Sequence, residues 1–159
     1  MDYKNLSGNS RVWVYQSSKV LSDQDVTEIL NEGKKFIASW AAHGAELKAS
    51  FAIFYNRFIV LFADESQVKA SGCSIDSSVH FIQQIQASFD LDLFDRLNIA
   101  YKENDKIETI PMSDFQEAIE NGRLNEETIV FNNLVKNKAD FETAWEIPVK
   151  ESWHKKLIA

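Results

Sequence analysis

The sequence predicts an α+β domain built as a ferredoxin-like sandwich, an antiparallel sheet with helices packed on one face. Three observations predict it. The first six elements follow the order strand, helix, strand, strand, helix, strand. Two of the helical segments carry apolar residues at intervals of three and four, and the intervening strands carry them at every second or every position. The chain has 159 residues, of which 45% are hydrophobic and 26% charged, so a core without covalent staples is feasible.

The elements can be justified in order. Residues 1–10 are polar and read as a flexible leader. Residues 11–16 alternate Val12 and Val14 with Trp13 and Tyr15, a strand pattern. Ser22 offers a cap ahead of Asp23 and Asp25, and Val26, Ile29, Leu30, Ile37 and Trp40 continue a helical stripe to about residue 42. Gly33 falls inside that stripe, which suggests the close approach of another backbone. His43-Gly44 would end the helix, with Gly44 as its left-handed cap. Residues 47–55 alternate, a tight turn follows near Asn56, and residues 57–63 form a nearly continuous apolar strand buried on both faces.

The stretch 71–89 holds the lone cysteine beside a helix start. Ile75, Val79, Ile82, Ile85 and Phe89 define its apolar stripe, leaving Asp76, His80, Gln83 and Gln84 on the other side. Ser74 can cap the first turn, and Gly72 loosens the backbone before it. Residues 90–96 read as a helical turn carrying Leu91 and Phe94. Residues 97–101 and 106–110 make a second hairpin, Ser113 caps a short helix stopped by Asn121-Gly122, and residues 128–131 are a last strand. Residues 138–145 read as helical, and Pro148 opens a final helix carrying Val149, Trp153 and Leu157. The expected organisation is one domain over residues 11–159, with 104–159 as an extension or cap.

Composition excludes several function classes. The net charge of −7 argues against nucleic acid or an anionic membrane as the main partner. The longest apolar run, residues 58–63, is far too short to span a bilayer, and no signal pattern opens the chain. One cysteine excludes an internal disulfide framework and any cysteine-cluster metal site, which points to the cytoplasm. Neither a Gly-x-x-x-x-Gly-Lys-Ser/Thr loop nor a Gly-x-Gly-x-x-Gly run occurs, so P-loop nucleotide hydrolysis has no sequence support.

The candidate chemistry centres on Cys73. A thiol at a helix start is favoured as thiolate, with His43 or His80 as base and Asp76 orienting a histidine. His80 is seven residues along the same helix, roughly 10 Å away, so His43 is the better base. The bland alternative is an inert cysteine at a helix start. Asp76-Ser77-Ser78 after Gly72 could hold an anion at the helix end, and Gly72, Ser74, Ser77, His80 and Trp40 are the candidate ligand-binding residues. His43, Asp76 and His80 supply zinc-type donors, but their spacing matches no metal motif, and neither a metal nor another cofactor is expected. Four tryptophans can line a pocket or a partner surface, although core packing is their commoner use. The segment from Trp145 to Leu157 reads as a docked cap or as a partner-binding tail.

Beyond these readings, the chain resembles a family of uncharacterised small bacterial proteins over nearly its whole length. The resemblance rests on Arg-Val-Trp-Val-Tyr at 11–15, Ser-Trp-Ala-Ala-His-Gly at 39–44, Leu-Lys-Ala-Ser-Phe at 47–51 and Ser-Gly-Cys-Ser-Ile-Asp at 71–76. Asp-Leu-Phe-Asp-Arg-Leu at 92–97, Thr-Ile-Val-Phe-Asn-Asn-Leu-Val at 128–135 and Glu-Ser-Trp-His at 151–154 complete it. Members of that family are often labelled "ABC transporter ATPase", and the resemblance implies no catalytic residues for this chain. The expected function is a binding or interaction module for a small molecule or a protein. The alternatives are a thiol-dependent enzyme using Cys73 and an oligomeric structural protein joined through its C-terminal segment.

Overall fold

The computed structural model describes residues 2–42 and 44–158. The fold is α+β with antiparallel sheets, as the sequence predicts. The chain divides into two compact units, one holding the residues up to Phe94 with Lys136–Ala139, the other holding Asp95–Val135 with the residues from Asp140 onward. The division therefore precedes the second hairpin, whereas residue 104, the expected start of the extension, lies in the turn of that hairpin.

The first unit is organised by its sheet, in the order β1 (Arg11–Gln16), β5 (Phe58–Asp64), β4 (Lys48–Phe54), antiparallel throughout. Every residue of β5 is buried, and Phe58–Ala63 are 0% exposed. The uninterrupted apolar run has no polar face to give to water, so it takes the centre. The turn into β5 uses Tyr55 (φ 55°) and Asn56 (φ 52°), closed by the Arg57 N–H on the Phe54 carbonyl at 3.0 Å.

Two helices cover one face, α1 (Asp23–Ser39) and α2 (Gly72–Ser88). Ser22 caps α1 as expected, its hydroxyl accepting from the Asp25 N–H at 3.0 Å. Gly33 does mark a close approach, but to a side chain. A Cβ there would lie 2.1 Å from Cδ1 of Phe51 on β4, so the missing methyl lets the aromatic ring press against the helix. The cap of α2 is Ser71, not Ser74: Ser71 is extended (φ −85°, ψ 167°) and its hydroxyl accepts from the Ser74 N–H at 3.1 Å. The buried face of α2 is Ser74, Ser78, Phe81, Ile82 and Ile85, rotated from the expected stripe toward two serines. Each serine hydroxyl donates to the carbonyl three residues back, Ser74 to the cap Ser71 and Ser78 to Ile75, which removes the cost of burying it.

The first helix stops at Ser39, earlier than its apolar stripe suggests. Trp40 turns extended (φ −71°, ψ 126°), and β2 (Ala41–Ala42) pairs with β3 (Ala45–Glu46) in a small hairpin. Gly44 does adopt a left-handed φ of 77°, but within that hairpin turn and not as a helix cap.

The expected flexible leader is folded. Tyr3–Asn5 form one 3-10 turn capped by Asp2, the Tyr3 ring stacks on Phe62 at 4.7 Å, and Leu6 is buried. Phe62 lies on the sheet face away from α1 and α2, and the leader's apolar side chains are what its polar composition conceals.

The ferredoxin-like sheet is not completed by its fourth strand. The expected strand near residues 97–101 is β6 (Asn98–Glu103), which joins β7 (Lys106–Pro111), β8 (Ile129–Phe131) and β9 (Glu146–Pro148) in a separate sheet of order β7-β6-β8-β9. Its place beside β1 is taken by a short return of the chain: the Val12 N–H donates to the Lys136 carbonyl at 3.0 Å, and the Lys138 N–H to the Ser10 carbonyl at 2.8 Å. Residues 90–96 contain no helical turn.

In the second unit, the hairpin β6–β7 turns through Asn104 and Asp105, both left-handed. The helix α3 (Met112–Glu120) begins straight after Pro111 without a side-chain cap, so Ser113 is not its cap. The helix α4 covers Lys138–Ala144 and belongs to this unit from Asp140 onward. Pro148 ends β9, and the expected final helix is two 3-10 turns, Val149–Glu151 and Trp153–Leu157. Trp145 stacks on Phe141 at 4.6 Å and Val149 is 0% exposed, so this segment is core, not a free tail.

The Gly33 contact gives the first prediction. Alanine at position 33 gains about 1 kcal/mol of helix propensity. It also drives a methyl into the Phe51 ring, and overpacking costs about 1–3 kcal/mol or more. Urea unfolding should show Gly33→Ala destabilised by roughly 2 kcal/mol, with Phe51→Leu in the same chain recovering part of the loss. A Gly33→Ala chain more stable than the native one would refute the contact.

Candidate functional site

The residues singled out from the sequence divide into two groups. Trp40 and Ser74 belong to the core. Trp40 is 2% exposed, its ring packs on Phe36 at 5.3 Å and against Trp13 at 5.9 Å, and its indole N–H donates to the Ser74 carbonyl at 2.8 Å. Ser74 gives its hydroxyl hydrogen to the Ser71 carbonyl at 2.8 Å. Neither side chain is offered to a ligand.

Gly72, Cys73, Asp76, Ser77 and His80 are exposed along one side of α2. Ser77 donates to the Ser74 carbonyl at 2.9 Å, and His80 Nε2 lies 3.3 Å from Gln84 Nε2, one turn on. Asp76, His80, Gln83 and Gln84 face away from the core, as their spacing predicts. His43 lies outside the described residues. The strand before it does reach α2, because the Trp40–Ser74 bond ties the entry of β2 to the first turn of that helix. Among the described residues no group of three or more histidine, cysteine or acidic side chains is placed to hold a metal ion.

The hairpin's other strand borders a feature the sequence reading missed. A groove of about 530 Å³ lies between α1 and the chain entering β4, lined by Lys34, Ile37, Ala38, Glu46, Leu47, Lys48 and Ala49. Leu47 and Ala49 are buried and belong to the cluster around Trp40, with Ile37 packed against them. Its lining is therefore mixed, with apolar side chains beside the exposed Lys34, Lys48 and Glu46. Lys48 also lies 3.9 Å from Asp64. Asp64 is held below the usual carboxylate range, first by hydrogen bonds from Ser66, whose N–H donates at 2.9 Å, and then by the Lys48 charge. No sequence motif marks the groove, since its walls, residues 34–38 and 46–49, are separated by a hairpin that the helical stripe runs over.

A second overlooked group lies in the other unit. His154 is 1% exposed, with Nδ1 2.6 Å from the Ser152 hydroxyl and its ring stacked on Trp153 at 3.9 Å. Burial pushes its pKa down to about 4. Serine and histidine are thus paired out of water, with the Phe115 ring 6.1 Å from the imidazole, an arrangement that stabilises a neutral imidazole.

No family model, curated protein or solved structure matches the chain. Among the described residues no helix is long and apolar enough to cross a membrane.

The His154 geometry fixes a pH dependence. Its folded pKa of about 4 lies below the ordinary histidine value of 6.5, so between these values the unfolded chain binds more protons. This contribution is fully present above pH ~6.5 and is lost as pH falls toward ~4, by up to about 3 kcal/mol. Urea unfolding from pH 7 to pH 4 should show that slope, and His154→Gln should flatten it. Equal slopes in the two proteins would place the imidazole in water.

Proposed function

We propose that the chain is a cytoplasmic binding module whose ligand lies in the groove between α1 and the entry to β4. The observation that carries this reading is the groove's chemistry: apolar side chains of Ile37, Ala38, Leu47 and Ala49 beside Lys34 and Glu46, with Lys48 already paired to Asp64. Such a surface suits a ligand with an apolar body and an anionic group, held by burial and oriented by charge. Its walls are a helix and a strand tied by the Gly33–Phe51 contact, so the surface is preorganised. Membership of the small bacterial family that the sequence resembles is part of the proposal, and binding requires no nucleotide chemistry from it.

The test is an NMR screen of ¹⁵N-labelled protein against small aromatic and aliphatic carboxylates. Amide shifts should cluster at Lys34, Ile37, Ala38 and Leu47 through Ala49. Ala38→Trp, which fills the groove from an exposed helix position, should abolish them while changing stability by no more than about 0.5 kcal/mol. Shifts confined to Cys73–His80 would move the site to α2 and overturn the assignment.

A second reading is favoured by one observation. Cys73 is exposed on the first turn of α2, the turn that Trp40 ties to the start of β2. A thiol site there would make native Cys73 alkylate faster than the same cysteine in urea, with His43→Ala removing the difference. In a binding module with an ordinary surface thiol the two rates are equal.

A further inference from the structure

We infer that Asn121 is a modification site, converted without an enzyme to aspartate and isoaspartate, and that the last turn of α3 gates the conversion. The inference is independent of the groove and concerns the second unit.

The chemistry belongs to the pair Asn121-Gly122, and no other asparagine of the chain precedes a glycine. The Gly122 backbone nitrogen, having given its proton to solvent, attacks the side-chain carbonyl carbon of Asn121. A carbon–nitrogen bond forms there, the bond from that carbon to Nδ2 breaks, and Nδ2 leaves with a solvent proton as ammonia. Water then adds to one of the two carbonyls of the cyclic imide. Opening at the side-chain carbonyl gives aspartate, and opening at the main-chain carbonyl gives isoaspartate, with one more carbon in the backbone. Water is the only co-reactant, and nothing is oxidised or reduced. Three features of the structure favour the attack. Asn121 and Gly122 are both exposed. A Cβ built on Gly122 would meet nothing within 4 Å, so no neighbour excludes the ring or the water that opens it. The Asn121 Oδ1 accepts from the Arg123 N–H at 3.0 Å, which polarises the carbonyl and stabilises the negative charge that develops on that oxygen.

The turn itself holds the reaction back. Asn121 ends α3 with φ −85° and ψ 1°, which nearly eclipses the Gly122 nitrogen with the Asn121 nitrogen and keeps it away from the side chain it must reach. The Gly122 N–H is bonded to the Ile119 carbonyl at 3.2 Å, so it is not free to give up its proton. The Leu124 N–H closes the turn on the Ala118 carbonyl at 3.0 Å, and Leu124 is 2% exposed, which anchors the chain just past the pair. Ring closure therefore waits for the turn to open, and the native rate is that of the free pair scaled by the fraction of time the turn is open. Conversion then weakens the turn that gated it. Aspartate places a charge at the negative end of α3, beside Glu120 and one turn from Glu117. Isoaspartate lengthens the main chain between Ala118 and Leu124, so the bond joining them loses its geometry.

The experiment incubates the whole protein at neutral and mildly alkaline pH, natively and in urea, and follows residue 121 by peptide mapping with mass spectrometry. Isoaspartate is read by enzymatic methyl labelling. The expected result is conversion at Asn121 ahead of every other asparagine, faster as pH rises, and slower in the native protein than in urea by about ten- to a hundredfold. Glu117→Gly, made at an exposed position in the last turns of α3, should speed native conversion about threefold and leave the rate in urea unchanged. Asn121→Gln should remove the modified peptide. Equal rates in native protein and in urea, or a Glu117→Gly rate no faster than the native one, would overturn the gate. Another asparagine converting first, or no native conversion over about a thousand half-times of the reaction in urea, would overturn the site.

Discussion

The complete burial of β5 is the constraint on which the first unit depends. Six consecutive side chains, Phe58–Ala63, are withdrawn from water, and each large one contributes about 1.5–3 kcal/mol only while both of its faces and both neighbouring strands are in place. That demand sets the rest. β1 and β4 must flank it, α1 and α2 must cover Ile59 and Leu61, and on the opposite face Tyr3 stacks on Phe62. The leader is ordered because the central strand has two apolar faces.

The helix cover in turn depends on two small details of sequence. Gly33 lets Phe51 press against α1, and Phe51 reaches Phe81 of α2 at 5.8 Å in an edge-to-face contact. The Phe36 and Phe81 rings stack at 4.5 Å, so the two helices meet through aromatic side chains above β4. Trp40 closes the same cluster and spends its one polar atom on the Ser74 carbonyl. A buried indole N–H without a partner would cost about 1–3 kcal/mol, which is why the residue ending α1 also fixes the start of α2.

Much of this was legible in the sequence, and the failures share a cause. Periodicity located β1, α1, both hairpins and α2, because each follows from which side chains alternate or recur. The solvent side of α2 was legible for the same reason: Asp76, His80, Gln83 and Gln84 are polar where the core asks nothing of them. Periodicity cannot say which strands share a sheet, since β6 carries the same alternation whether it lies beside β1 or beside β8. It also cannot see a break that respects the stripe. Trp40 continues the apolar face of α1 by spacing and leaves the helix by conformation, and the groove lies just past that break. Ser71 and Ser74 are chemically equivalent caps, and only the backbone angles choose between them. His154 is illegible for a different reason, because a histidine among lysines reads as surface until Phe115 is brought beside it from a distant position.

The position of the groove follows from how the sheet ends. At β1 the chain returns through residues 136–138 to satisfy the edge, whereas at β4 the corresponding work is done only as far as Leu47, by Trp40 and the small hairpin. The helix that should continue along that edge stops at Ser39, because Trp40 is drawn into the core and bonded to α2. The interaction that locks the two helices together therefore also leaves a space beside β4, with the end of α1 on one side and a strand edge on the other. Around a central strand whose every residue is buried, that edge is where the sheet ends against the groove.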